Sequence, residues 1–322
     1  MLWVLDDIAY RGVDKAYYLM TAALTVLILV IVLLPVSQPV LKRMWRQTSG
    51  RIGLIFLFSH LFLAVVAPWI ILNDPFTQHD LGDVFRYHPP SSEFWLGTDS
   101  KNRDFLARIL SGGRPALSVT FVTALLGVTW GTFAGIFLAL SSARIDAWVM
   151  RIVDAMISIP SIAFLMLAIT SVGSTSLGGF LFIPIAGFFS GLSVLRVVLA
   201  QAQTIVALDY VSAARARGHS LGWIALHEVL PNCRDVVLVE LPMRWSWLLL
   251  AFAGASFFGL LVQIPTPDWS SMVAGSRTLF LAYPNIFWPP VAMLSSLIVG
   301  INFTADSLAK SLGLDRSAAD LM

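Results

Sequence analysis

Charge is scarce in this chain. Asp, Glu, Lys and Arg make up 12% of its 322 residues while hydrophobic residues make up 57%. A soluble domain carries roughly 25% charged and about 45–50% apolar residues. So few charges cannot cover the surface of a water-soluble globule, and that class is excluded. Cysteine is nearly absent: Cys233 alone rules out an internal disulfide framework and any multi-cysteine metal site. Lysine is almost as rare. Lys15, Lys42, Lys101 and Lys310 follow Asp, Leu, Ser and Ala, so none closes a Gly-Lys-Ser/Thr phosphate loop, and the chain is not itself an ATPase. The formal net charge of +2 is too small to argue for nucleic acid. The five histidines, His60, His79, His88, His219 and His227, lack metal-ligand spacing, although His79 and His88 share a segment with several carboxylates. No serine, histidine and acid group together as a catalytic constellation, so no catalytic, cofactor-binding or metal residues are assigned.

What the chain does have is long apolar runs, with a mean hydropathy of +0.79. About 20 residues cross a bilayer core of about 30 Å. Seven stretches qualify: Tyr18 to Leu34, Gly53 to Leu72, Ala116 to Leu140, Val153 to Val172, Phe180 to Ala200, Val236 to Leu261 and Ile286 to Ala305. The reading is an all-α polytopic membrane protein. The first stretch is not a cleavable signal, because Asp6, Asp7 and Asp14 precede it against Arg11 and Lys15, and no small-x-small site follows. Its few hydroxyls suit packing against lipid or a partner helix rather than lining a pathway.

Orientation follows from basic residues in short loops. Lys42, Arg43, Arg46 and Arg51 follow the first stretch; Arg144 and Arg151 flank the third and fourth; Arg196, Arg215, Arg217 and Arg234 gather between the fifth and sixth. These alternate correctly to share the cytoplasmic side, which puts the mixed-charge segment from Asn73 to Arg114 outside. Trp69, Trp245, Trp247 and Trp288 near stretch ends suit the headgroup region, with plain lipid-facing bulk the alternative. An ion-coupled carrier keeps ionisable groups at mid-membrane. Here Asp154, Arg196, Glu240 and Arg244 fall near stretch ends, and Glu240 and Arg244 are spaced to pair on one helical turn, as an interfacial pair rather than a relay. No charged side chain is left to line a pore and report the charge of a ligand.

The longest basic loop, Ala207 to Asn232, predicts helix, break, helix, stop. Ser212 to Arg217 is rich in helix formers, and Gly218 offers the left-handed conformation that ends a helix. Ser220 can cap a second helix whose Leu221, Ile224 and Leu230 recur at about helical spacing, and Pro231 stops it. Two short helices at right angles to a bundle would make a projecting knob; an amphipathic loop on the membrane surface is the plainer alternative.

Asp-Tyr-Val-Ser-Ala-Ala-Arg-Ala-Arg-Gly at 209–218, followed by Leu230-Pro231-Asn232, resembles the "EAA" loop of ABC importer permeases. Tyr210, Ser212, Ala213, Ala214, Arg215, Gly218, Leu221, Leu230 and Pro231 are the residues that resemblance assigns to the coupling helix, with Ser212 where the family has glutamate. Trp95 to Arg114, carrying Gly97, Thr98, Asp99, Arg103, Asp104 and Arg108, resembles the Leu-Gly-Thr-Asp-x-x-Gly-Arg-Asp segment before the second core helix of dipeptide, oligopeptide and nickel permeases. Asn102 replaces its glycine. Phe257 to Met272, with Pro265, Pro267, Trp269 and Met272, is similar to the segment after that family's fifth core helix. These matches fit the C-type permease subunit of binding-protein-dependent importers.

The resemblance implies a six-helix permease core over 53–322, with the coupling loop at about 205–234 and residues 1–52 as an extension carrying one extra helix and a basic loop. It implies a non-catalytic subunit of the bacterial inner membrane that binds no cofactor. Its implied partners are a second homologous permease, two ATPase subunits that bind ATP and Mg, and a periplasmic or lipid-anchored solute-binding protein. The implied substrates are peptides or related small solutes. Relatives of the same subunit type handling cationic peptides or polyamines, in export as well as import, are the first alternative; a secondary carrier is the second.

Overall fold

A computed structural model describes residues 2–34, 38–80, 87–172, 178–262 and 264–314. The described residues form helices and no strands, with one isolated bridge between Thr98 and Asp104. In chain order these are α1 (Leu2–Leu33), α2 (Gln38–Arg46), α3 (Thr48–Ile70), α4 (Phe105–Ser111), α5 (Arg114–Ala139), α6 (Ala143–Ile157), α7 (Ser161–Val172), α8 (Gly178–Val206), α9 (Asp209–Ala216), α10 (Leu221–Ile224), a π turn (Ala225–Val229), α11 (Leu230–Phe257), α12 (Trp269–Ser276) and α13 (Pro284–Ser311). Six helical runs are long and apolar enough to span a membrane, and a seventh span exists only if α6 and α7 count as one.

That pair corrects one expectation. The stretch from Val153 to Val172 is not a single helix; α6 and α7 meet at 70°. Pro160 has no N–H to continue the ladder, and its ring pushes Ile159 away from helical backbone. Pro231 corrects another, because the chain does not stop there. It runs from Leu221 to Phe257 as one continuous helical run, with Pro231 in the first turn of α11. A proline ring clashes with the carbonyl four residues back in a regular helix. The π turn just before it widens the backbone, and the Leu230 N–H reaches the Ala225 carbonyl five residues back.

Lipid is as apolar as leucine, so helices associate in a membrane by close van der Waals fit. The tightest fit is α5 on α8. Gly127, Gly131 and Gly135 line one face of α5, where a Cβ at Gly127 would sit 2.9 Å from the Gly187 carbonyl oxygen and one at Gly135 2.8 Å from that of Leu195. α3 meets α13 in the same way, with a Cβ at Gly53 falling 2.6 Å from the Thr304 nitrogen. α11 closes on α5 through Trp245, whose Nε1 donates to Thr120 Oγ1 at 2.9 Å while its ring meets Phe121 edge-on.

α1 is bolted on at one end. Tyr17 is buried and stacks on Phe180 at 5.3 Å between centroids, and Arg114 donates to Asp14 at 3.2 Å. Further along, Leu24 is buried in the bundle core and Ile28 packs on it, while Leu19, Val26, Val30 and Leu33 stay exposed. Arg11 pairs with Asp74 at 2.8 Å, which sets this part of α1 beside the segment after α3. At the opposite end Arg43 donates to the Ser311 carbonyl at 3.2 Å, joining α2 to the end of α13.

Candidate functional site

The loop that carries the sequence signature folds into a knob seated on the bundle. α9 ends at Ala216 with Arg217 as its C-cap, and Gly218 follows with φ +84°. The Gly218 N–H donates to the Arg215 carbonyl at 2.9 Å and the His219 N–H to that of Ala214 at 3.2 Å. This paired arrangement closes a helix whose next residue is left-handed. Ser220 caps α10, its Oγ accepting from the Trp223 N–H at 3.2 Å.

The inner face is apolar. Val211, Ala214, Ile224, Ala225, Val229 and Cys233 are buried against Val194, Val198, Ala202 and Ile205 of α8 and Val128, Ile136 and Leu140 from α5 and its end. The knob therefore shares a core with α5 and α8. Its outer face presents Ser212, Ala213, Arg215, Arg217, Gly218 and Pro231, together with exposed Tyr210 and Leu221. Of the sequence-predicted coupling residues, Ala214 alone is buried and Leu230 is half-buried. Leu221 does not join the apolar face with Ile224. Tyr210 Oη accepts from Asn232 Nδ2 at 3.2 Å, and desolvation, with the Glu228 charge next, raises its pKa.

The sequence reading missed an aromatic stack on this surface. His219 lies on Trp223 at 3.8 Å and Trp223 on His227 at 4.8 Å, both within 13° of parallel. Its signal was the spacing of four residues between each pair of rings, which brings side chains together on a helix.

At the other end the two remaining motifs, distant in sequence, form one buried node. Asp99 accepts from Arg103 at 2.6 and 2.8 Å and lies 3.4 Å from Arg108 Nε. Arg108 Nη1 donates to the carbonyls of Pro75 at 3.1 Å and Pro265 at 2.9 Å. Asp104 caps α4 by accepting from the Leu106 and Ala107 N–H groups, and it takes a 2.9 Å bond from Asn73. Thr98 is buried, its Oγ1 accepting from the His88 N–H at 3.0 Å. Gly97 has φ +81°. Asn102, standing where the resembled motif has glycine, keeps a left-handed φ of +55°, which asparagine tolerates better than most residues.

Trp269 is the second half of the node. Its Nε1 donates to the Ile109 carbonyl at 2.8 Å, and its ring fills the space that side chains at Gly112 and Gly113 would occupy. Pro267 and Met272 are buried beside it. Asp268, fully buried, caps α12 and accepts from Ser256 Oγ at 2.6 Å and the Ser271 N–H at 2.8 Å. Its burial raises its carboxyl pKa against the pull of those hydrogen bonds. Among the described residues no group of three or more His, Cys, Asp or Glu side chains is placed to hold a metal ion.

Residues 131–314 match the family model described as binding-protein-dependent transport system inner membrane component. The chain is 28% identical over 277 residues to the dipeptide transport system permease protein DppC of Alkalihalophilus pseudofirmus, covering 84% of this chain and 87% of that one. It is 29% identical over 283 residues to the di/tripeptide transport system permease protein DppC of Pseudomonas aeruginosa, covering 84% and 91%. A Brucella suis protein whose name is that of a peptide transport system permease is 32% identical over 268 residues, covering 83% and 88%.

Proposed function

The chain belongs to the family of binding-protein-dependent transport system inner membrane components, and from that premise we propose that it carries short peptides into a bacterial cell. It is a non-catalytic, multi-pass permease subunit of an ABC importer, and it works within a complex of partner subunits. The partners we assign are a second related permease, two ATPases that bind ATP and Mg, and a solute-binding protein. The membrane is the bacterial inner membrane, and residues 53–322 form the permease core.

One observation carries the mechanism. The knob of α9, α10 and the π turn shares its apolar core with α5 and α8, so a push on its outer face reaches the bundle. In this reading Tyr210, Ser212, Ala213, Arg215, Gly218 and Leu221 meet the ATPase. The node of Asp99, Arg103, Asp104, Arg108, Pro265 and Trp269 is rigid scaffolding at the far, outward-facing end. Closure of the ATPases on ATP displaces the knob and switches the bundle between outward and inward access. The peptide class is supported by the named function of the relatives.

Gly218→Val tests the mechanism in the reconstituted transporter. A β-branched residue strongly disfavours φ +84°, at a cost on the order of 1–3 kcal/mol. The complex should insert, yet lose uptake and lose stimulation of ATP hydrolysis by the binding protein. Ser212→Glu restores the family residue on an exposed position and should leave both intact. Normal transport by the first variant together with loss of assembly by the second would refute the docking model.

A further inference from the structure

A cavity of about 400 Å³ opens between the α6–α7 bend, α8 and α11. Arg244 is the one residue with a charged side chain among those lining it. Arg244 lies about 20 Å along the axis from Phe257, the far end of α11, at roughly 1.5 Å per residue, near the middle of that 28-residue helix. An ionisable group within a membrane-spanning helix is costly and marks a functional site by default. Glu240, one turn away and buried, accepts from Arg244 Nε at 2.7 Å. No other acceptor reaches the guanidinium among the described residues. The guanidinium has five N–H donors in a fixed fork, so its terminal nitrogens remain available to a second carboxylate.

One neighbour points to the same ligand charge. The first turn of α7, at Ser161 and Ile162, lines the cavity, and the amides there have no carbonyl partner in their own helix and carry its positive end. Broken spans present helix starts to anionic groups in this way. The remaining wall includes Leu165, Phe182, Phe189 and Trp247, a surface for apolar side chains.

We propose that this cavity receives the free carboxylate of the transported solute, with Arg244 as the residue that the carboxylate meets on its way through. The assignment rests on the reading of the chain as a peptide permease. Arg244 acts there as a specificity residue, holding a peptide's terminal carboxylate by its exposed nitrogens while Glu240 fixes the other side of the fork.

The experiment is uptake by the complete transporter in proteoliposomes, with its binding protein, of a dipeptide and of the same dipeptide as its C-terminal amide. Affinity of the separate binding protein for each is measured independently and divided out. Arg244→Gln should slow dipeptide uptake at least about tenfold and bring the corrected preference for the free carboxylate close to one. Arg244→Lys should retain part of that preference. Because Arg244→Gln strands the buried Glu240, the double variant Glu240→Gln/Arg244→Gln is measured beside it and should lose the preference equally. An unchanged preference in the double variant overturns the proposal, as does an equal loss of both substrates with the ratio intact. Absence of uptake of any di- or tripeptide by the wild-type transporter, with ATP hydrolysis intact, overturns the peptide reading itself.

Discussion

At the residue scale, the most constrained side chain is Trp269. It is 2% exposed and joins the two distant motifs, and its hydrogen bond goes to the Ile109 carbonyl in the last turn of α4. Trp269→Ala should cost about 3–5 kcal/mol through lost burial and the cavity left behind. Trp269→Phe keeps much of the ring but strands the Ile109 carbonyl, and should cost about 1–3 kcal/mol. Thermal unfolding in detergent orders the two, and a Phe variant as damaged as the Ala variant would argue against a packing role. The motifs around Trp95 and Trp269 are legible in the sequence as separate matches. Their contact through Arg108 and Pro265 is not, because no local period links residues so far apart.

At the element scale, α5 and α8 depend on backbones that nearly touch. Gly131 faces the Gly191 carbonyl with no space for a side chain. Gly131→Leu should therefore force the pair apart and abolish the monodisperse peak in size-exclusion chromatography, whereas Gly254→Ala, whose Cβ would lie 3.7 Å from its nearest neighbour, should leave it unchanged. Gly127, Gly131 and Gly135 form a small-xxx-small series readable in the sequence, and it passed unnoticed among so many apolar residues. The α1 bolt behaves differently. Asp14→Asn leaves Arg114 buried, with side-chain exposure of 5%, and without its carboxylate. Breaking a buried pair by removing one partner costs about 3–5 kcal/mol. That loss should appear as a lower unfolding temperature, restored in part by Asp14→Asn combined with Arg114→Gln.

At the scale of the whole molecule, the basic segments and the knob should share one side of the membrane. Single cysteines at Ser49, Ser220 and Ser92, in a Cys233→Ala background, are tested with an impermeant thiol reagent on intact cells. Ser92 should label and the other two should not; labelling at Ser220 but not at Ser92 would invert the orientation. Because α2 is tied to the end of α13 through Arg43 and Gln47, Ser49 should follow the C-terminal end of the bundle.

Composition and hydropathy determined that the chain is a helical membrane protein, because burying apolar runs in lipid requires no knowledge of what they touch. Local chemistry determined more: Gly218 as a left-handed stop and Ser220 as a cap depend only on residues within a turn. Tertiary structure alone decided the rest. It showed that Pro160 breaks a span while Pro231 is absorbed by a π turn, since the outcome depends on whether the neighbouring backbone can widen. It likewise placed Arg244 against a cavity, since the lining is set by how α7, α8 and α11 come together.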